Sequence, residues 1–353
     1  MRTREELKLL QALPLDVKVM KTKLRIREWV DAFGTGGVCV SFSGGKDSTI
    51  LLNIVREMYG NDIPAVFVDT GLEYPEVRSF VKKFDNAVIV KPKMKFVDVI
   101  KTYGYPVIGK EAAERIENAK RCVASGGKRY IEHYYQIYQS FPNEQAELLY
   151  EDRFQNRYSF AKWRPLVDVD FRISSQCCLV MKKTPIKEYE RDSGRHPITA
   201  QMASESRLRT TNWLKNGCNA FDAKRKVSNP MSFWTEQDVL RYIKLHNIDI
   251  ASVYGDIIPV DGQLSFDERE CSLCTTGCNR TGCVFCGFGA HSEKGETRFE
   301  RLHRTHPKLY EYCMYGGAYD ESDGLWKPDN RGLGMKHVFD TLNDIYGISF
   351  IRY

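Results

Sequence analysis

Residues 37–42 (GVCVSF) are a short apolar run that leads directly into Ser43-Gly44-Gly45-Lys46-Asp47-Ser48, and residues 47–59 then carry helical periodicity. This unit constrains the chain more than any other. An unbroken apolar run of strand length is buried on both faces, as in a parallel sheet. Adjacent glycines let the turn bring backbone N–H groups together, and a helix starting there adds the positive end of its dipole. Ser43 and Ser48 contribute hydroxyl donors and Lys46 a positive charge, so the turn reads as a phosphate site. It is not a Walker A loop: no glycine stands five residues before Gly45, and Asp47 takes the place of that motif's Ser or Thr. Gly34, Gly36 and Gly37 precede the strand and lack the spacing of a dinucleotide fingerprint.

The neighbouring segments extend the pattern. Residues 65–69 (AVFVD) and 87–90 (AVIV) read as further strands, with a helix beginning near Pro75 between them. Strands alternating with helices predict an α/β fold, a doubly wound parallel sheet with ligands at the carboxyl ends of its strands. Residues 1–33 read as an N-terminal helical segment broken at Pro14. Residues 111–165, rich in tyrosine, read as a helical insertion. A helix capped by Thr235 covers 235–247, with Trp234, Val239, Leu240 and Ile243 in the core. Residues 296–353 read as two short helices with glycine-rich joints. A chain of 353 residues has room for two domains. The expected divisions are 1–33, an α/β domain over 34–250, and a Cys-rich metal-binding region with C-terminal helices over 251–353.

Composition bears on the cysteines. No stretch approaches the ~20 apolar residues of a spanning helix, and residues 1–23 have no signal-peptide core. The expectation is a soluble, cytoplasmic protein without a membrane partner. In that compartment eleven cysteines are not a disulfide framework. Five of them fall within residues 271–286, and Cys177 and Cys178 are adjacent. Clustered cytosolic thiols point to a bound metal. The net charge of +6 is mildly basic and does not by itself establish nucleic-acid binding.

The segment SGGKDS after an apolar strand resembles the pyrophosphate-loop (PP-loop) signature of the ATP pyrophosphatase, or adenine nucleotide alpha hydrolase-like, superfamily. Within it the chain resembles the phosphoadenosine phosphosulfate (PAPS) reductase family, a Rossmann-like fold of PP-loop type. Four further segments carry the resemblance: Val68-Asp69-Thr70-Gly71 with Glu73 and Pro75; Cys177-Cys178 with Lys182, Lys183 and Pro185; Ser204-Glu205-Ser206-Arg207 with Arg209; and residues 230–248 (PMSFWTEQDVLRYIKLHNI). The resemblance implies that Ser41, Ser43, Gly44, Gly45, Lys46, Asp47, Ser48, Asp69, Thr70, Gly71, Arg207 and Arg209 bind the nucleotide, ATP with Mg2+. Lys46 and Asp47 are then catalytic. The reductases carry a nucleophilic cysteine in a C-terminal E-C-G-x-H segment; residues 346–353 (YGISFIRY) do not match it, and the late Cys313 lies in another context.

Two metal readings stay open. Iron-containing adenylylsulfate reductases of this family hold a [4Fe–4S] cluster on a vicinal pair and a later C-x-x-C, which implies Cys177, Cys178, Cys283 and Cys286 here. The alternative is Zn2+ on Cys271, Cys274, Cys283 and Cys286, a compact four-thiolate spacing. Cys278 is a spare ligand or a catalytic persulfide carrier. Cys39 reads as core.

Residues 153–164 (RFQNRYSFAKWR) interleave four cations with Phe154, Tyr158, Phe160 and Trp163, a pattern that suits either nucleic-acid stacking or inward packing. Arg207, Arg209, Lys215, Lys224, Arg225 and Lys226 form a second basic stretch. The resulting expectation is an ATP-dependent sulfurtransferase that adenylates an acceptor, tRNA or DNA, with a cysteine desulfurase or thioredoxin-like donor. The alternatives are a reductase forming sulfite and an ATP-binding regulatory or defence component.

Overall fold

A computed structural model describes residues 2–154, 158–260, 271–347 and 349–353. They fall into two compact units, Met1–Pro92 with Thr184–Gly282 and Lys93–Lys183 with Cys283–Tyr353.

The first segment of unit one runs α1 (Arg4–Gln11), α2 (Leu15–Phe33), β1 (Val38–Ser41), α3 (Lys46–Tyr59), β2 (Ala65–Val68), α4 (Pro75–Val81) and β3 (Ala87–Val90). Unit two begins with α5 (Phe96–Tyr103), β4 (Val107–Ile108), α6 (Lys110–Ala124), α7 (Ile131–Tyr138) and α8 (Glu144–Phe154). The chain returns to unit one with α9 (Thr184–Ser193), β5 (His196–Ile198), α10 (Arg207–Asn216), β6 (Asn219–Ala220), β7 (Val227–Ser228), α11 (Glu236–His246), β8 (Ile257–Pro259) and β9 (Leu273–Thr275). Unit two ends with β10 (Gly287–Phe288), α12 (Arg298–Thr305), α13 (Pro307–Met314), β11 (Ala318–Tyr319), β12 (Trp326–Lys327) and α14 (Met335–Tyr346).

Unit one is built on a six-stranded sheet of order β3-β2-β1-β5-β7-β6, parallel except for the β6–β7 pair. Its central strands are apolar and buried: Val38, Cys39, Val40 and Ala65 have no exposed surface. α3 covers the sheet with Ile50, Leu51, Leu52, Ile54 and Val55, also fully buried. At roughly 1.5–3 kcal/mol per buried aliphatic side chain, this layer is the main stabilising contribution of the domain. From β1 the strand order runs outward in both directions, to β2 on one side and β5 on the other. That reversal opens a crevice at the strands' carboxyl ends, the place where such sheets bind ligands.

α11 is held firmly at its start. Thr235 and Asp238 form a capping box, Asp238 pairs with the buried Lys18 of α2 at 2.6 Å, and the Trp234 indole donates to Thr22 at 2.9 Å. The break expected at Pro14 and the helix expected at Pro75 are both present, the latter with Pro75 in its first turn.

In unit two, α6 packs on α7 through Ala112, Ala113, Ile116 and Ala119, and β4 pairs in parallel with β10. Within 111–154, α6, α7 and α8 supply the helical character read from the sequence. The reading of two short helices after residue 296 does not hold: there are three, because Pro307 ends α12 and starts α13, and a β11–β12 hairpin separates the third. Among the described residues, no helix is long and apolar enough to cross a membrane.

Candidate functional site

β1 hands the chain through Ser41 and Phe42 into the glycine turn. Gly44 has φ +69°, and a Cβ there would lie 2.7 Å from side-chain carbons of Val77 and Val81 on α4. Only glycine lets the turn press against that helix. The serines then tie the loop to itself. Ser43 N–H donates to Ser48 Oγ at 3.2 Å, the two hydroxyls lie 3.0 Å apart, and the Ser48 hydroxyl reaches the Gly45 carbonyl at 2.9 Å. α3 starts at Lys46 without a side-chain cap, so its first N–H groups are available to other acceptors.

Lys46 is 3% exposed. Its Nζ lies 3.0 Å from Glu236 Oε1, at the start of α11, and donates to the Asn279 carbonyl. Its backbone N–H donates to the Tyr254 hydroxyl at 3.2 Å, and that hydroxyl lies 2.7 Å from Thr281 Oγ1. Asp47 Oδ1 is buried with no hydrogen-bond partner. Burial pushes the Asp47 carboxyl above its usual range; Lys46, Arg280 and Arg209 pull it down, and Glu236 pushes it further up.

Three cations therefore act on Asp47 through their charge. Arg209 is half-buried on α10 and pairs with Glu205, while Arg280 Nη1 stands 3.8 Å from the same carboxylate. Burial lowers the Arg209 guanidinium, and the neighbouring Arg280 lowers it further. Two arginines close together favour an anion between them. Arg207, two residues earlier, is exposed.

The Asp69-Thr70-Gly71 segment leaves the carboxyl end of β2, beside β1. Asp69 pairs with Arg78 at 2.9 Å. Burial would raise its carboxyl, but the Arg78 hydrogen bond and charge outweigh burial and hold it below the usual range. Thr70 gives its N–H and hydroxyl to Glu73 at 2.8–3.1 Å.

The cysteines divide between the units. Cys177, Cys178, Cys283 and Cys286 all belong to unit two. Burial pushes the Cys177 thiol far up, and the charges of Cys283, Cys178 and Cys286 add to the push. The pair precedes a π-helical turn, Leu179–Lys183, a distortion common at functional sites. Lys182 faces Cys177, and Lys110 and Arg298 face Cys286, whose carbonyl also accepts from Arg298 at 2.9 Å. Ile108, at φ +60°, pairs beside this segment through Phe288; left-handed backbone at a β-branched residue is strained. Among the described residues, no three His, Cys, Asp or Glu side chains converge on one metal-ion position.

Cys271, Cys274 and Cys278 lie in unit one. Cys278 is 3% exposed, and its thiol donates to the Arg280 carbonyl at 2.9 Å. Acting as a persulfide carrier would require its loop to open. Cys39 is core, its thiol pushed up to about 12 by burial.

The basic aromatic segment needs a correction. Phe154, Phe160 and Trp163 are 3%, 8% and 5% exposed, so they pack inward and cannot stack on bases; Tyr158 alone of the four is open, at 78%. Lys162 lies over Trp163 and Arg164 over Tyr138. Residues 155–157, including one of the four cations, lie outside the described residues.

Residues 37–119 and 128–287 match the family model for the phosphoadenosine phosphosulfate reductase domain. The chain belongs to that family. Its members are enzymes that act on adenine nucleotides. Among curated proteins, the chain is 35% identical over 113 residues to a glutamine-hydrolyzing GMP synthase of Francisella philomiragia, covering 27% of this chain and 22% of that protein. It is 38% identical over 73 residues to an uncharacterized protein of Methanocaldococcus jannaschii, covering 20% and 15%. The chain thus spans less than a quarter of the length of these relatives. Among solved structures, a PAPS reductase of Candida auris in a phosphate complex matches at 13% identity and a TM-score of 0.35, over 71% of this chain and 91% of that one.

Sequence reasoning missed Glu236, Tyr254, Asn279, Arg280 and Thr281. Glu236 lies in the 230–248 segment, but as a surface position of its helix rather than a site residue; Tyr254 carries no motif, and the last three sit in a run that the surrounding cysteines mark as metal-binding.

Proposed function

We propose that the protein is an ATP pyrophosphatase that adenylates an acceptor and transfers sulfur to it, with nucleic acid, tRNA or DNA, as the acceptor class. The observation that carries this is the buried Lys46 at the start of α3, on the carboxyl end of β1, with Arg209 and Arg280 brought together on Glu205 in the same unit. Such donors stabilise charge developing on departing phosphates. An acceptor oxygen attacks the α-phosphorus of ATP, the bond to the bridging oxygen breaks, and pyrophosphate leaves toward Lys46. A persulfide from a desulfurase-type donor then attacks the adenylated carbon, and AMP leaves with the oxygen. A thioredoxin-like thiol resolves the resulting disulfide and releases the thiolated acceptor. Exposed Arg207, Lys215 and Lys224 on unit one support a polyanionic acceptor.

On this reading the thiols of Cys177, Cys178, Cys283 and Cys286 would hold an iron–sulfur group, being four soft donors within unit two whose thiolate charge Lys182, Lys110 and Arg298 favour, and binding it would draw them closer together. Bound there, a [4Fe–4S] cluster would supply a redox or sulfide-binding centre.

The test is pyrophosphate release from ATP with tRNA or DNA present. Lys46→Ala lowers the rate about 10²–10³-fold, the loss typical of removing one charge-stabilising donor, with an unchanged thermal midpoint. Undiminished turnover in that variant defeats the assignment. Family membership favours a second reading, reduction of adenylylsulfate or PAPS; sulfite formed with a thiol reductant, and no AMP transfer to an acceptor, selects it.

A further inference from the structure

The groups that should grip phosphate are already occupied by the protein's own atoms. The Lys46 N–H, the first donor of α3, goes to the Tyr254 hydroxyl, and the Lys46 ammonium is shared between Glu236 and the Asn279 carbonyl. The occupants lie directly on the loop: a Cβ on Gly45 would stand 3.2 Å from the Tyr254 hydroxyl and 3.5 Å from Thr281 Oγ1. The Tyr254 hydroxyl, Glu236 Oε1 and the Asn279 carbonyl each accept from a donor suited to a phosphate oxygen, and Thr281 Oγ1 backs the Tyr254 hydroxyl.

The occupying segment has its own fastening. Gly277 N–H donates to the Tyr254 carbonyl and Cys278 N–H to the Val253 carbonyl, both at 2.9 Å. A Cβ on Gly277 would come within 2.4 Å of the Val253 carbonyl oxygen, so this approach requires glycine. The Thr275 hydroxyl spans the turn, 3.1 Å from both the Cys278 carbonyl and Asn279 Oδ1. The Glu236 side chain, in contrast, is 45% exposed and Thr281 is half-buried, so both can move toward water.

We propose that Glu236, the Tyr254–Thr281 hydroxyl pair and the Asn279 carbonyl form a latch that fills the phosphate-gripping groups of the 41–48 loop and must be displaced before a polyphosphate binds. This rests on reading that loop as the phosphate site. The latch keeps the buried Lys46 neutralised while no ligand is bound, since an unpaired buried cation is costly. It also holds the loop in its binding conformation, so these are positioning residues. A polyphosphate wins by bringing more negative charge to Lys46, Arg209 and Arg280 than the two carboxylates that hold them, Glu236 and Glu205, together offer. A single uncharged or monoanionic ligand does not.

The experiment is calorimetric titration of the full-length protein with inorganic pyrophosphate, comparing wild type, Glu236→Gln and Tyr254→Phe. Each substitution removes one competitor worth about one hydrogen bond, so each should tighten the pyrophosphate Kd about three- to tenfold. In turnover, the KM for ATP should fall with no gain in kcat. A merely structural role would weaken binding or lower the melting temperature instead. Glu236 is partly exposed on a helix capped by Thr235 with Asp238, so Glu236→Gln should fold even where Tyr254→Phe does not. If wild type binds pyrophosphate and Glu236→Gln binds it equally or more weakly, the latch is refuted and the phosphate-site reading stands. If neither binds pyrophosphate, both fall together.

Discussion

The two halves of the 271–286 cysteine run behave differently. Its spacing, C-x2-C-x8-C-x2-C, looks like one metal knot. Yet the chain passes from unit one to unit two between Gly282 and Cys283. The first half meets the 41–48 loop: Asn279 accepts from Lys46, Thr281 meets the Tyr254 hydroxyl that also takes the Lys46 N–H, and Arg280 stands 3.8 Å from Glu205. The second half joins Cys177 and Cys178, more than a hundred residues earlier. Regular spacing is evidence of a shared ligand only when the chain between the thiols turns back on itself. Here it carries the phosphate-facing residues instead.

Three predictions can break or sharpen this division. The largest effect is expected in the second half. On the proposed cluster reading, Cys177→Ser, Cys178→Ser, Cys283→Ser and Cys286→Ser each abolish most of the bound iron and sulfide in anaerobically purified protein, while Cys271→Ser and Cys274→Ser keep it. Elemental analysis decides. Zinc lost on Cys271→Ser, with no iron in wild type, would reunite the run as one site.

A smaller effect belongs to the first half. Arg280→Ala should raise the KM for ATP roughly tenfold, in line with ~1.5–3 kcal/mol for a hydrogen bond to a charged group, and leave metal content unchanged. Steady-state kinetics checks this, and an unaltered KM would detach the 276–281 loop from the nucleotide.

The smallest effect is on stability. The folded-state pKa of Asp47 is raised by burial, so its ionised form is penalised in the fold. Its favourable contribution is present below the ordinary carboxylate pKa and is lost as pH rises through the raised value. Asp47→Asn escapes that penalty: its Tm should exceed wild type by roughly 2–4 °C at neutral pH, the shift expected for about 1 kcal/mol in a chain of this size. Melting curves should show the gap closing as pH falls toward about 4. A gap that widens in acid contradicts the buried-carboxyl assignment.

Much of unit one was legible because its signals are local. An apolar run followed by Gly44-Gly45 and an amphipathic stretch can hardly do otherwise than form strand, tight turn and helix. Thr235 with Asp238 marks a helix start within four residues. The aromatic segment at 153–164 was not legible in this way. Its alternation of cations and rings suits stacking and packing equally, and only the burial of Phe154, Phe160 and Trp163 separates them. The third C-terminal helix was missed because Pro307 reads as a stop, although proline is equally at home in a helix's first turn.

By itself, the sequence determined the parallel α/β core, the strand, glycine turn and helix around residues 41–48, and the family to which the chain belongs, because each depends on residues close together along the chain. That Ser43 and Ser48 bond to each other came from the structure. Only the tertiary structure decided what meets that loop: Glu236, Tyr254, Asn279, Arg280 and Thr281 arrive from segments about 190 to 240 residues away. It also decided that Cys283 and Cys286 share a unit with Cys177 and Cys178. Such meetings depend on how buried surfaces pack and how buried charges find partners, and no local spacing encodes them.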